Sequence, residues 1–317
     1  MPPGGAATGG DTPFDSSKNN IVGTPEGFRR VQPVDQQVAP PATTSPLPVV
    51  FTGVLPPRTV FEKTVEAGVY KASLPAWKTF LLAILGGCCV SMSAFLAVSV
   101  GANCPGLLAS NPGLQKMIYG AFGFPFGLLM VVISGAELFT GNTASVAAAF
   151  YEGKVRLRQL LQNWGIAWIG NLAGSLLVVA LVSYTGLLST SIAPQNLASY
   201  KTSLTFGQVF VRAIMGNWLV CMAIWQATAA QTMGGKFIGI WLPISAFVAL
   251  GLEHSVANMF LIPMGMALKA PVTARQFFLQ NLIPASLGNI VAGAVCIAAM
   301  FSLCYGRLGA RLTKQPS

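Results

Sequence analysis

Gly135-Ala136-Glu137-Leu138-Phe139-Thr140-Gly141-Asn142 and Gly251-Leu252-Glu253-His254-Ser255-Val256-Ala257-Asn258 are the stretches that decide the fold. Each interrupts an apolar run, 117–150 and 237–268, that is too long for a single bilayer-spanning helix of roughly twenty residues. The two octets agree in register at Gly, Glu and Asn, displaced by 116 positions (135 to 251). Further on, Gln162-Asn163 with Gly170-Asn171 returns as Gln280-Asn281 with Gly288-Asn289, displaced by 118 positions (162 to 280). Two such matches in the same order at nearly the same spacing indicate a duplicated unit. Spans are predicted over 79–100, 117–150, 157–185, 206–232, 237–268 and 275–305, three per unit. An odd number of crossings turns the second unit upside down relative to the first. The expected fold class is therefore an all-α integral membrane protein of six transmembrane helices in two inverted three-helix repeats, with broken second and fifth helices. Irregular backbone at membrane depth survives only where protein buries it or a cavity lies beside it, so the breaks mark the expected site.

Composition agrees. Of 317 residues, 53% are hydrophobic and 9% charged, which leaves too little charge for a water-facing surface. The net charge of +10 reflects scarce acid: beyond Glu66 only Glu137, Glu152 and Glu253 remain. No basic patch with interleaved aromatics exists, so no nucleic-acid partner is expected. Cys88, Cys89, Cys104, Cys221, Cys296 and Cys304 lack metal-type spacing and read as packed thiols. No phosphate cradle or nucleophile-base arrangement appears, and neither cofactor, metal nor enzyme activity is expected.

Four regions are predicted: a Pro/Gly/Ser-rich disordered tail over 1–57, an interfacial amphipathic helix over 58–78, a channel domain over 79–306 and a basic tail over 307–317. Asp11, Asp15, Glu26 and Asp35 make the first region a poor transit peptide. Lys71, Lys78, Lys154, Arg156, Arg158, Lys236, Arg307 and Arg311 fall on the side of both termini, against Lys116, Lys201, Lys269 and Arg275 opposite. The positive-inside bias puts both termini in the cytosol or, in a plastid, the stroma.

The single histidine, His254, stands beside Glu253 inside an apolar run, where ionisable residues are costly and mark function by default. Its reference pKa of roughly 6.5 lets modest surroundings change its charge near neutral pH. Half-helix amino termini after each break direct N–H groups at the centre, an environment suited to anions.

The two octets, the continuation Met259-Phe260, and Asn281-Leu282-Ile283-Pro284 through Gly288-Asn289 resemble the signature segments of the formate/nitrite transporter family over Lys71 to Tyr305. Ser99-Val100-Gly101-Ala102-Asn103, Asn111-Pro112-Gly113-Leu114 and Asn217-Trp218-Leu219-Val220-Cys221 are most similar to its green-algal chloroplast-envelope subgroup, which carries nitrite or bicarbonate. The resemblance implies a homopentamer of aquaporin-like protomers in membrane lipid, each with its own pore for small weak-acid anions such as formate, and a place in the inner chloroplast envelope, with the plasma membrane as the alternative. It implies that His254 is the central pore histidine and Glu253 its neighbouring acid. Thr140 then faces His254, Lys201 sits at the outer vestibule, and Asn217 and Asn289 border the same polar chamber. Phe124, Leu128, Leu138, Phe139 and Phe247 fall on apolar constriction positions. Arg212 departs from the bacterial branch.

Glu253 and Glu137 are also readable as architectural acids that accept hydrogen bonds from the broken-helix backbone. The alternatives are a neutral-solute channel of aquaporin type, although Asn111-Pro112 is not that family's motif, and a membrane-embedded enzyme using Glu253 and His254.

Overall fold

The computed structural model describes residues 53–121 and 123–313, so most of the expected tail over 1–57 lies outside the described residues. The described residues form thirteen helices: α1 (Pro57–Ser73), α2 (Ala76–Val100), α3 (Pro105–Ser110), α4 (Pro112–Ala121), α5 (Phe124–Ser134), α6 (Phe139–Tyr151), α7 (Leu157–Thr185), α8 (Ala193–Ser203), α9 (Phe206–Ala229), α10 (Met233–Ala249), α11 (Ser255–Ala267), α12 (Gln276–Tyr305) and α13 (Arg307–Thr313). Five helical stretches are long and apolar enough to cross a membrane, and α10 and α11 are shorter apolar helices. The predicted second and fifth spans are both broken as expected, into α5 and α6 and into α10 and α11.

The breaks are built alike. Gly135 and Gly251 end α5 and α10 at φ 70° and 69°, a left-handed conformation that glycine adopts without a Cβ penalty. Leu138 and His254 then run extended before α6 and α11 begin. The freed backbone groups are met by two buried asparagines. Asn171 accepts the Phe139 N–H at 2.9 Å and donates to the carbonyls of Ala83 and Glu137; Asn289 accepts the Ser255 N–H at 2.9 Å and donates to those of Ala213 and Glu253. Gly86 and Gly216 let the Glu137 and Glu253 carbonyls approach so closely that any Cβ would collide with them.

Helices α1 and α8, the latter within what the sequence reads as a link, are equivalent elements packed on α6 and α11. The apolar face of α1, including Val60, Phe61 and Val65, is buried with Val146, Ala147 and Ala148 of α6. The expected interfacial helix over 58–78 is shorter here: α1 ends at Ser73, and its apolar residues Phe61 and Val65 pack on α6. The predicted basic tail over 307–317 is helical through Thr313, and Glu152 accepts the Arg307 N–H that opens α13 at 2.9 Å.

Candidate functional site

His254 caps α11. Its Nδ1 accepts the Ala257 N–H at 3.1 Å, and its Nε2 lies 2.9 Å from Thr140 Oγ1 of α6. With Nδ1 committed as an acceptor, the neutral ring carries its proton on Nε2 and donates it to Thr140. Forming an imidazolium would sacrifice the cap. In the repeat, Leu138 stands where His254 does and Val256 where Thr140 does, so the two halves contribute one polar pair and one apolar pair to the centre.

Three cavities follow one another through the protomer. The first, about 60 Å³, is lined by Tyr119, Tyr200, Lys201, Leu252 and Asn258 together with Phe124, Phe247 and His254. Those last three also line the second, about 20 Å³, with Leu128, Leu138, Val90, Val220 and Ile244. Leu138 is shared again with the third, about 210 Å³, which is bordered by Lys71, Gly135, Ala136 and Asn142. Phe124 and Phe247, edge to face at 6.1 Å, stand on one side of the small central cavity and Leu138 on the other. Phe139, predicted as a constriction residue, is buried in the core and is not among the side chains lining these three cavities.

The outer two cavities are counterparts. Lys201 Nζ meets Glu253 Oε1 at 2.9 Å, and Glu253 Oε2 accepts from Asn258 at 2.6 Å and Asn281 at 3.1 Å. In the other half Lys71 Nζ meets Glu137 Oε1 at 2.6 Å, and Glu137 Oε2 accepts from Asn142 at 2.5 Å and Asn163 at 3.3 Å. Lys201, expected at a vestibule, lies on α8 among the residues lining the first cavity and is 7% exposed and ion-paired. One expectation changes here. The carboxylates of Glu253 and Glu137 are satisfied by side chains of neighbouring helices and not by the broken backbone, whose groups are taken by Asn171 and Asn289. Burying each charge with a direct partner and two amide donors is what makes it tolerable at this depth.

Asn217 donates to the Asn289 carbonyl at 2.7 Å and to Thr143 Oγ1 at 3.0 Å, tying α9 to α12 and α6 behind Thr140. Asn289 uses its amide on backbone. Both asparagines therefore support the centre from behind and are absent from the walls of the three cavities. Arg212 donates to the Tyr200 hydroxyl at 2.8 Å and lies over its ring at 5.8 Å, beside the first cavity. Among the described residues no His, Cys, Asp and Glu cluster has metal-binding geometry.

Sequence reasoning placed Lys71 only in the charge bias and gave no role to Asn142, Asn163, Asn258 and Asn281. A signal was available: Tyr70-Lys71-Ala72-Ser73-Leu74 matches Tyr200-Lys201-Thr202-Ser203-Leu204 at a displacement of 130 positions (71 to 201).

The same geometry has relatives. A family profile described as formate/nitrite transporter matches residues 58–303. The chain is 39% identical over 257 residues to the uncharacterised transporter YrhG of Bacillus subtilis, covering 78% of this chain and 93% of that one. It is 33% identical over 277 residues to the formate channel FocA of Escherichia coli, covering 80% and 95%. A solved pentameric formate channel with formate bound superposes with a TM-score of 0.65 at 31% identity, covering 73% of this chain and 97% of that one. These relatives are transporters and channels, not enzymes. With its helical membrane fold, its paired breaks and a match over most of its length, the chain belongs to the formate/nitrite transporter family.

Proposed function

We propose that each protomer conducts small monovalent anions of weak acids, formate foremost, through the three cavities in series, and that protomers assemble as pentamers. The observation that carries this reading is the His254 ring held 2.9 Å from Thr140 between apolar constrictions in a chain of this family. An anion crossing an apolar neck of this kind loses hydration worth several kcal/mol unless its charge is removed or paired. An anion that picks up a proton from solvent in a vestibule passes as the neutral acid. At the centre, the neutral acid's carbonyl oxygen takes the Nε2–H of His254 in place of Thr140, which lines none of the three cavities. The Lys201 and Lys71 ammonium groups, each spending one of three donors on its glutamate, present the others to an anion at the inner ends of the vestibules.

Bicarbonate and nitrite share formate's size and single charge, and we extend the reading to them. The resemblance of 99–103, 111–114 and 217–221 to the green-algal subgroup supports those cargoes, inorganic carbon uptake and the inner chloroplast envelope, with the plasma membrane as the alternative. Flux of labelled formate, nitrite and bicarbonate into proteoliposomes tests the reading. Formate entry in the parent that His254→Phe abolishes supports it. Water or glycerol conductance without anion flux sinks it.

A further inference from the structure

Tyr200 and Arg212 meet at the rim of the first cavity. Tyr200, 50% exposed, is part of the cavity wall. Arg212 donates one guanidinium N–H to the phenol oxygen at 2.8 Å, and its Cζ lies 5.8 Å from the ring centroid. It stands six residues past Phe206, the start of α9, which places its Cα roughly 9 Å inside a span, and it is only partly exposed. A cation at such depth ordinarily pairs with an acid or marks a site. No carboxylate among the described residues pairs with this one: Glu253, whose N–H the Arg212 carbonyl accepts, is held by Lys201. The phenol oxygen accepts from Arg212, so its own O–H is directed elsewhere. Neither that O–H nor the remaining guanidinium N–H groups have an acceptor among the described residues.

The first repeat shows what the helix break needs at this place. Leu82 stands 130 positions before Arg212 (82 to 212), and its carbonyl accepts the Glu137 N–H as that of Arg212 accepts the Glu253 N–H. Tyr70 stands 130 positions before Tyr200 (70 to 200) but is not among the residues lining the third cavity, whose wall contains neither tyrosine nor arginine. Leucine therefore serves the break as well as arginine does. Only the first cavity carries the cation and the phenol.

We propose that Arg212 and Tyr200 form a receiving site for small planar oxyanions at the mouth of the first cavity, one step ahead of Lys201, and that it serves passage from that face alone. The guanidinium offers parallel N–H donors in a fixed plane, which match two oxygens on one carbon or nitrogen better than they match a spherical halide. The phenol fixes that plane by accepting one N–H and adds an O–H donor of its own. From Tyr200 the anion passes to the neighbouring residue in the chain, Lys201, whose ammonium lines the same cavity. The directional part of the proposal rests on the conducting path proposed above; the binding part does not.

Line broadening of carbon-13 formate by the full-length protein in neutral detergent, with nitrite or chloride as competitor, reads the site without transport. Arg212→Leu, which writes the first repeat's residue into the second, should weaken formate binding about fivefold at unchanged elution volume and thermal midpoint. Tyr200→Phe keeps the ring and should weaken it by a smaller factor. Arg212→Lys should weaken formate and nitrite but leave chloride competition at parental strength, because a point charge has no fork. In proteoliposomes sorted by the accessibility of a terminal tag, Arg212→Leu should raise the half-saturating formate concentration about fivefold from the first-cavity face and leave it parental from the other. A parent that binds formate in this way yet passes none would sink the conducting path and support the site. Parental formate binding in both Arg212→Leu and Tyr200→Phe, equal loss of formate and chloride in Arg212→Lys, or a half-saturation that rises alike from both faces would each overturn the proposal.

Discussion

Thr140 and His254 form the only polar pair among four repeat-related positions at the centre, the others being Leu138 and Val256, so the centre is polar from one side. Replacing His254 with Phe leaves two apolar constrictions and no donor, and formate flux in proteoliposomes should fall at least about a hundredfold at every pH, the equivalent of roughly 2.7 kcal/mol. His254→Asn keeps a donor that does not titrate. It should retain part of the flux and lose any contribution of the ring to pH dependence; a parental pH profile in either variant would remove the ring from the mechanism. Lys201, buried and ion-paired, calls for an expectation about stability as well as about anion attraction. Its loss strands the Glu253 carboxylate with two amides and no cation, a cost of about 3–5 kcal/mol. Lys201→Ala should therefore lower the thermal midpoint, and adding Glu253→Gln should restore much of it. A variant that stays fully stable and merely shows weaker, less salt-dependent anion affinity would return Lys201 to the role of an attracting charge.

At the scale of elements, the two helix breaks depend on a left-handed glycine and a distant asparagine each. Gly251→Val forces a β-branched residue to φ 69° and should cost about 1–2 kcal/mol even though open space surrounds the position. Asn289→Ala should cost about 1–3 kcal/mol by leaving the Ser255 N–H and the Ala213 carbonyl without their partner, and it should also reduce flux because Ser255 follows His254 directly. Thermal midpoints in detergent together with flux check both, and loss of flux at full stability in Asn289→Ala would assign that residue to the pathway itself. The octets announced these breaks because Gly and a buried acid inside an apolar run have few other uses. The partners were harder to read: Asn171 and Asn289 lie 32 and 34 residues from the N–H groups they receive, on another helix, and no local periodicity connects them.

Across the whole molecule, the small residues of α7 divide into two sets. Gly170 and Gly174 lie so close to α2 that a Cβ would strike Ala83 and the carbonyl of Ile84, whereas Gly165 meets nothing within 4 Å. Gly174→Leu should therefore disrupt the protomer and yield little folded protein. Gly165→Leu should leave the protomer intact, with native mass spectrometry reporting whether the pentamer forms; a folded but monomeric variant would place that face between protomers. The cation asymmetry predicts that a tag on either terminus is protected from protease added outside sealed cells or organelles, and ready cleavage would reverse the orientation.

By itself the sequence determined the class, the duplication, the six crossings and the two breaks, because bilayer thickness and the cost of unsatisfied backbone leave an apolar chain few choices. It also singled out His254 and Thr140, which the fold brings to 2.9 Å across 114 residues of chain. Only the tertiary structure decided how the charges are used. Whether Lys201 is solvated or paired, and whether Glu253 caps backbone or receives amides, depends on where α8 and α12 cross the break. Each ion pair joins helices of one repeat that are 52 and 66 residues apart in the chain, and a contact at that distance is not written in the spacing of neighbouring residues.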